Sequence, residues 1–140
     1  MVRLRRRGDG WPAGRIIAFT VGVLSILLVM CTKLNDYGMV TPPAALRTLT
    51  TAAYRVSPHS NRIGLRTEGP ALERARDGEL PSEGMVLGAV QVPPDGRPVV
   101  FLNDHPTTGG YPVVGVVAET ALAGAAQAVP GTRVRFVVRA

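Results

Sequence analysis

The sequence predicts a mainly β domain, a barrel or a sandwich with one or two short helices, preceded by an apolar helix. Short apolar segments alternate with Gly- and Pro-containing turns from residue 54 to residue 136, which is typical of antiparallel all-β folds. Only residues 44–53 and 120–129 have the composition of helices, and a parallel α/β sheet needs more crossover helices than these. Residues 16–32 carry no charge, and a run of roughly 17 to 25 apolar residues can span a bilayer.

The N-terminal segment, residues 1–34, combines a basic cluster with this apolar run. Five arginines precede the run, and the positive-inside rule places such a cluster in the cytoplasm. Three interpretations stay open: a signal-anchor helix, a cleaved signal peptide, and a start that is not native to the protein. Residues 35–42 are predicted to be a linker, because Gly and Pro interrupt any periodic pattern there, and residues 43–140 form the β domain.

The charge and the few metal-ligating side chains exclude several classes of protein. The net charge of +6 is concentrated in the N-terminal arginines, so we expect no nucleic-acid-binding face. Cys31 is the only cysteine, which excludes an intrachain disulfide and a metal site built on paired cysteines. His59 and His105 lack the spacing of metal ligands, and we predict no metal site. Phosphate-binding loops, nucleophile elbows and zinc-protease motifs are also absent from the sequence.

The β domain is predicted to begin with a helix and to continue as six strands. Thr41 can cap a helix over residues 44–53, with proline in its first turn. The predicted strands, in order, are "YRVS", "RIGLR", "MVLGAVQV", "PVVFLN", "VVGVVAE" and "RVRFVVRA". The strong turns between them are "PPDG" (residues 93–96) and "DHPTTGGYP" (residues 104–112). A small alanine-rich helix, "TALAGAAQAV", precedes the last strand.

Two polar positions are candidates for ligand binding. In "SPHSNRIG" (residues 57–64), the planar fork of Arg62 suits a carboxylate or a carbonyl, and Asn61 offers an amide donor and acceptor beside Ser60. The alternative is a polar turn whose serine and asparagine side chains bond their own backbone. Gln91 is the polar residue of an otherwise apolar strand, and its side chain faces either a ligand or solvent.

The third candidate is the loop "TTGGY", residues 107–111. The hydroxyls of Thr107 and Thr108 both donate and accept hydrogen bonds, which suits an amide, a ureido ring or a phosphate. Gly109 and Gly110 allow the backbone to approach a ligand closely, and Tyr111 adds a flat face and a phenol. The alternative is a plain hairpin loop covered by the tyrosine.

Four stretches together resemble one known family. They are "SPHSNRIG", "SEGMVLGAVQVPP", "TTGGYP" and "PGTRVRF", in this order, within residues 43–136. The sequence is similar to the C-terminal part of the biotin-dependent carboxyltransferase family, also known as the C subunit of 5-oxoprolinase, KipA or allophanate hydrolase subunit 2. A complete member carries a further barrel portion upstream of Pro43. We therefore expect a truncated or rearranged member, and the resemblance leaves open whether the chain is an enzyme.

The resemblance implies a partial cyclophilin-like β-barrel and a substrate-binding role for nine residues. The substrate would be an amide, lactam or ureido compound in ATP-dependent 5-oxoproline hydrolysis or biotin-dependent carboxyl transfer. Where many members carry Arg-Gln before the loop and Lys after it, this chain has His105, Pro106 and Val113, which leaves the substrate open. The implied substrate-binding residues are Ser60, Asn61, Arg62, Gln91, Thr107, Thr108, Gly109, Gly110 and Tyr111.

The same resemblance implies partners and a location. Carboxybiotin or ATP would reach the site through an assembled complex, whose other members would be the A and B subunits of 5-oxoprolinase, B being the KipI-like one. Members of the family are cytoplasmic, whereas a genuine apolar helix over residues 16–32 would anchor this chain in a membrane. Two alternative roles remain: a non-catalytic, membrane-tethered remnant, and a regulator that binds a KipI-type kinase inhibitor.

Overall fold

A computed structural model describes residues 16–21, 24–29, 43–74 and 78–139. They form ten strands and two helices, which we number in chain order. The strands are β1 Ile16–Val21, β2 Leu24–Val29, β3 Tyr54–Val56, β4 Gly64–Glu68, β5 Glu83–Gly84, β6 Ala89–Gln91, β7 Val99–Phe101, β8 Thr108–Gly109, β9 Val113–Val117 and β10 Arg133–Arg139. The helices are α1 Pro43–Thr51 and α2 Glu119–Gln127.

Eight of these strands pair in a closed ring. Following the antiparallel ladders from β2 gives β9, β6, β7, β4, β3, β10 and β1, and β1 pairs with β2 again. The remaining strands, β5 and β8, form a separate two-stranded sheet. The mainly β fold with two short helices is therefore confirmed, and the large sheet is closed as in a barrel.

Side chains from the ring strands β3, β4, β6, β7, β9 and β10 form the core. Along β10, Val134 and Phe136 are buried while Arg133, Arg135 and Val137 are exposed, as expected of a strand with one apolar face. The rings of Phe136 and Tyr54 meet edge to face, with centroids 5.5 Å apart. Each helix adds a buried pair of residues four positions apart on one face: Ala45 and Leu49 from α1, and Ala121 and Ala125 from α2.

The N-terminal apolar run differs from its prediction in the two segments that the structure describes. Ile16–Val21 and Leu24–Val29 are strands, where the sequence predicted part of an apolar helix. Each residue of β1 has a partner on both β2 and β10, so the backbone groups of this stretch are satisfied by a ladder. Neither α1 nor α2, the helices of the described part, has the length and apolar character that crossing a bilayer needs. The predicted linker at residues 35–42 lies outside the described residues.

The turn at "PPDG" forms as predicted and depends on its glycine. The N–H of Gly96 donates to the carbonyl of Pro93, and Gly96 has a φ of +72°, a conformation that favours glycine. Within the predicted strand "MVLGAVQV" only Ala89–Gln91 pairs in the ladder. Gly88, directly before it, has a φ of +82°, which is incompatible with extended backbone and delays the start of the strand.

Candidate functional site

The arginine loop, residues 57–64, is folded by its own polar side chains. The hydroxyl of Ser60 accepts from the N–H of Arg66 at 3.0 Å and donates to its carbonyl at 3.2 Å. Oδ1 of Asn61 accepts from the N–H groups of Ile63 and Gly64 at 2.9 and 3.2 Å. Serine and asparagine side chains commonly close turns in this way. The geometry matches the turn alternative that the sequence left open for these two residues.

Arg62 connects this loop to the segment that precedes the threonine–glycine loop (residues 107–111). Its Nε lies 3.0 Å from Oδ2 of Asp104, and its Nη2 lies 3.4 Å from Oδ1. The main chain supports the pairing, because the N–H of Asp104 donates to the carbonyl of Arg62. The arginine side chain is 88% exposed, so the pair contributes at most about 1 kcal/mol to stability. The guanidinium fork is therefore already engaged by a carboxylate of the same chain.

The arginine loop borders a groove against α2. The groove has a volume of about 620 Å³ and an apolar floor that includes Leu65 and Leu102. Ser60, Asn61 and Arg62 line it, but Gln91 and residues 107–111 do not. The structure thus divides the nine predicted residues into two neighbouring groups. Thr107 follows Asp104 by three residues, so their Cα atoms are at most about 11 Å apart.

Gln91 and the threonine–glycine loop (residues 107–111) form the second group. Gln91 is 7% exposed, and its Nε2 donates to the main-chain carbonyl of Tyr111 at 3.4 Å. A Cβ added to Gly109 would lie 2.8 Å from Nε2 of Gln91 and 3.1 Å from Sδ of Met85. Because real Cβ atoms do not approach so closely, a larger residue at this position would displace the side-chain ends of Gln91 and Met85.

A covering segment, residues 79–85, holds the other side of this loop. Strand β5 pairs with β8, with Glu83 opposite Gly109. The N–H of Leu80 donates to the carbonyl of Gly110 at 2.7 Å, and the N–H of Met85 donates to the carbonyl of Thr107 at 2.9 Å. The threonine–glycine loop is therefore not a free hairpin tip. It lies between the covering segment and Gln91.

Tyr111 has two charged neighbours that the sequence did not single out. Its hydroxyl donates to Oε1 of Glu79 at 2.9 Å, and the guanidinium carbon of Arg74 lies 6.0 Å from the ring centroid. The hydrogen bond to Glu79 is the largest cause of a raised pKa at Tyr111. The negative charge of Glu79 and partial burial raise this pKa further, while Arg74 lowers it. Glu79 lies 32 residues before Tyr111, and no local pattern indicates such a contact.

The fourth stretch of the resemblance, "PGTRVRF", bonds to the residue that directly precedes the arginine loop. The N–H of Gly131 donates to the carbonyl of Val56 at 2.8 Å, and the N–H of Val56 donates to the carbonyl of Thr132 at 2.9 Å. Ser57 follows directly and begins the arginine loop. The second and third stretches bond to each other directly, whereas the first stretch is reached from the fourth through Val56 and bonds to Asp104, three residues before the third. Within the described ranges, no group of His, Cys, Asp and Glu side chains is arranged to hold a metal ion.

Comparison with known proteins places most of the chain in one family. Residues 30–138 match the family model described as carboxyltransferase domain, subdomain A and B. The C subunit of 5-oxoprolinase from Escherichia coli K12 is 43% identical over 84 residues, which are 60% of this chain and 27% of the relative. Its counterpart from Haemophilus influenzae is 38% identical over 56% of this chain and 25% of the relative. The chain therefore spans about a quarter of the curated relatives that it matches.

Solved structures agree with this assignment. The Kluyveromyces lactis urea amidolyase has a TM-score of 0.62 at 29% identity, covering 66% of this chain and 6% of that chain. The protein TTHA0988 has a TM-score of 0.60 at 28% identity, covering 95% of this chain and 24% of that chain. A match of that extent takes in β1 and β2 at least in part. Residues 1–54 also match a second family model, described as cytochrome c oxidase caa3 assembly factor.

Proposed function

Since this chain belongs to the carboxyltransferase domain family, we propose that it binds the N–C=O group of a lactam or ureido compound. One observation carries the proposal: Gln91 and residues 107–111, which belong to two of the family-like stretches, come together. The names of the relatives agree in chemistry, since 5-oxoproline and urea both contain an amide-type nitrogen and carbonyl.

The side chains of the second group suit the neutral, planar N–C=O group of a ligand. Gln91 and Tyr111 bring a carboxamide and a phenol, and Thr107 and Thr108 add two hydroxyls on exposed residues. Such groups orient an amide from both its donor and its acceptor side. Neutral donors also stabilise negative charge that builds up on a carbonyl oxygen during reaction.

We propose that the chain acts within a larger assembly. Both curated relatives are named as subunits, and the matched part is 6% of the urea amidolyase chain, so these proteins work with further domains or subunits. The ureido ring of carboxybiotin presents the same N–C=O group and fits the donors and acceptors of the site. Partners similar to the A and B subunits of 5-oxoprolinase would bind and hydrolyse ATP in the cytoplasm, because this sequence has no phosphate-binding loop.

Reconstitution tests the proposal directly. The full chain replaces the C subunit in a mixture of the other Escherichia coli 5-oxoprolinase subunits, and ATP-dependent turnover of 5-oxoproline is measured. We expect turnover that requires the chain and falls at least tenfold in Gln91→Ala, because the variant loses the carboxamide beside the loop. Glu119→Ala is the control, since Glu119 is an exposed residue in the first turn of α2 that does not line the groove.

Binding measurements separate a failed assembly from a failed site. Calorimetry with 5-oxoproline and with biotin reports binding by the full chain alone. Absence of both turnover and binding would contradict the proposal. Binding without turnover supports the site and shows that the Escherichia coli partners do not accept this chain.

The membrane-tethered remnant and the inhibitor-binding regulator stay predictions. Extraction of cell membranes with alkaline carbonate separates the first from a soluble assembly, because an embedded anchor resists extraction and a barrel domain does not. Co-purification with a KipI-type protein, in the absence of any ligand binding, would favour the regulator.

A further inference from the structure

The hydrogen bond between Tyr111 and Glu79 determines whether the phenol oxygen donates a hydrogen bond to a ligand or accepts one from it. Oη of Tyr111 lies 2.9 Å from Oε1 of Glu79. An ionised carboxylate has no proton to give, so the phenol is the donor. A phenol carries a single proton, and once that proton is committed the oxygen can only accept from other groups.

The main chain and a second side chain fix the orientation of Tyr111. The N–H of Leu80, next to Glu79, donates to the carbonyl of Gly110, next to Tyr111. Arg74 lies over the tyrosine ring and donates through Nη2 to the carbonyl of Gly78. The residues on both sides of the Tyr111–Glu79 contact are thus held by bonds of their own.

Gln91 differs from Tyr111 in this respect. Its Nε2 donates one proton to the main-chain carbonyl of Tyr111 at 3.4 Å. A carboxamide nitrogen carries two protons, so Gln91 keeps one donor on Nε2 besides the acceptor Oε1. Of these two side chains, only the phenol of Tyr111 is restricted to accepting.

We propose that Glu79 is a positioning residue that makes Tyr111 a hydrogen-bond acceptor, so that the site selects ligands presenting an N–H group. This inference rests on the proposed function and specifies it. A five-membered lactam and a ureido ring both present an N–H beside a carbonyl. A lactone of the same shape has an oxygen there, and two facing acceptors repel each other.

A matched pair of ligands tests the inference. The full chain is titrated calorimetrically with 5-oxoproline and with its lactone analogue, 5-oxotetrahydrofuran-2-carboxylate, which differ in N–H against O. We expect the lactam to bind about five- to tenfold more tightly, the value of roughly one hydrogen bond. In Tyr111→Phe this preference falls about fivefold. Glu79→Gln reduces it as well, because a carboxamide can donate to the phenol oxygen and free the phenol proton.

Glu119→Gln is the control, because it neutralises an exposed carboxylate in the first turn of α2, and it should keep the preference of the wild type. If Tyr111→Phe and Glu79→Gln also keep it, or if the wild type binds both compounds equally, the inference is overturned and the proposed function stands. If the wild type binds neither compound, the ligand preference is overturned; if it also fails to bind biotin and to support turnover, the proposed function fails as well.

An independent measurement examines the contact itself. The hydrogen bond and the charge of Glu79 raise the pKa of Tyr111, so Glu79→Gln should lower this pKa in an ultraviolet titration of the tyrosines, with Tyr111→Phe identifying the signal. An unchanged titration would overturn the positioning role of Glu79. Circular dichroism spectra equal to that of the wild type establish that both variants are folded.

Discussion

Replacing Tyr54 by phenylalanine should raise or preserve stability and remove a loss of stability at alkaline pH. Tyr54 is 1% exposed, and its hydroxyl is buried without a hydrogen-bond partner in the described part of the chain. A buried hydroxyl without a partner costs about 1–3 kcal/mol of desolvation. Phenylalanine keeps the ring that packs edge to face on Phe136 and removes only this hydroxyl.

The effect of Tyr54 on stability can be calculated more closely from its pH dependence. Burial raises the pKa of Tyr54 from 10.0 to about 12, because the charged phenolate is poorly solvated in the core. Between these values the unfolded chain has lost a proton that the folded protein retains, so unfolding releases a proton and rising pH destabilises the fold. At pH 11 this difference lowers the free energy of unfolding by about 1.4 kcal/mol relative to pH 8. The part of the folding stability that depends on this proton is fully present below pH 10 and is lost by about pH 12.

Urea unfolding of the full chain and of Tyr54→Phe, followed by circular dichroism at pH 8 and pH 11, measures this difference. Groups that titrate in both proteins cancel in the comparison. The wild type should therefore lose about 1.4 kcal/mol more than the variant between the two pH values. Equal losses in both proteins would show that the Tyr54 hydroxyl is solvated or bonded, and the reasoning would be refuted.

Four further substitutions address two turn glycines, a buried threonine and the exposed ion pair. Gly96→Ala should lower the free energy of unfolding by about 2–4 kcal/mol, because φ is +72° and the new Cβ would lie 2.7 Å from the carbonyl oxygen of Leu72. Gly131→Ala, at φ +85° with nothing within 4 Å of the new Cβ, should lower it by only about 1 kcal/mol. Equal urea midpoints for the two variants would contradict the cost assigned to the clash with Leu72. Thr67→Val removes the buried hydrogen bond, 2.6 Å long, from the Thr67 hydroxyl to the carbonyl of Pro98. This carbonyl still accepts from the N–H of residue 67, so the free energy of unfolding should fall by only about 1 kcal/mol. Thermal unfolding measures the change, and an unshifted melting temperature would contradict it. Asp104→Ala should change stability by less than about 1 kcal/mol, since the ion pair with Arg62 is exposed; a larger loss would indicate that the pair organises both loops.

Much of the fold was predictable from local chemistry. β-branched runs such as "PVVFLN" and "RVRFVVRA" contain β7 and β10, and Pro and Asp before Gly96 predicted the turn that forms. Residues 16–29 show the limit of this reasoning. An uncharged run rich in Ile, Val and Leu suits a spanning helix and a buried strand pair equally, and hydropathy does not distinguish them. Partners elsewhere in the chain do, and here β10 and β9 are those partners.

The candidate site was predictable in composition and less so in arrangement. Asn61 bonding its own turn follows from the chemistry of asparagine. Gly109 was expected to allow a close approach to a ligand, and in the structure a Cβ at this position would lie 2.8 Å from Nε2 of Gln91. Glu79 and the two-residue strands β5 and β8 have no periodic signal, so sequence alone did not indicate them. Their pairing depends on how a loop folds back over a distant loop, which only the tertiary structure shows.

The ring of strands also fixes where the two ends of the described chain lie. Ile16 at the start of β1 is the ladder partner of Arg139 at the end of β10, and such partners have Cα atoms about 4.5–5.5 Å apart. In a variant that consists of residues 16–139, a short glycine linker would therefore join these two ends into a circular permutant, with new termini opened in an exposed turn. Removing β1 and β2 instead would leave β9 and β10 each with an unpaired edge, and two copies shortened in this way could pair edge to edge.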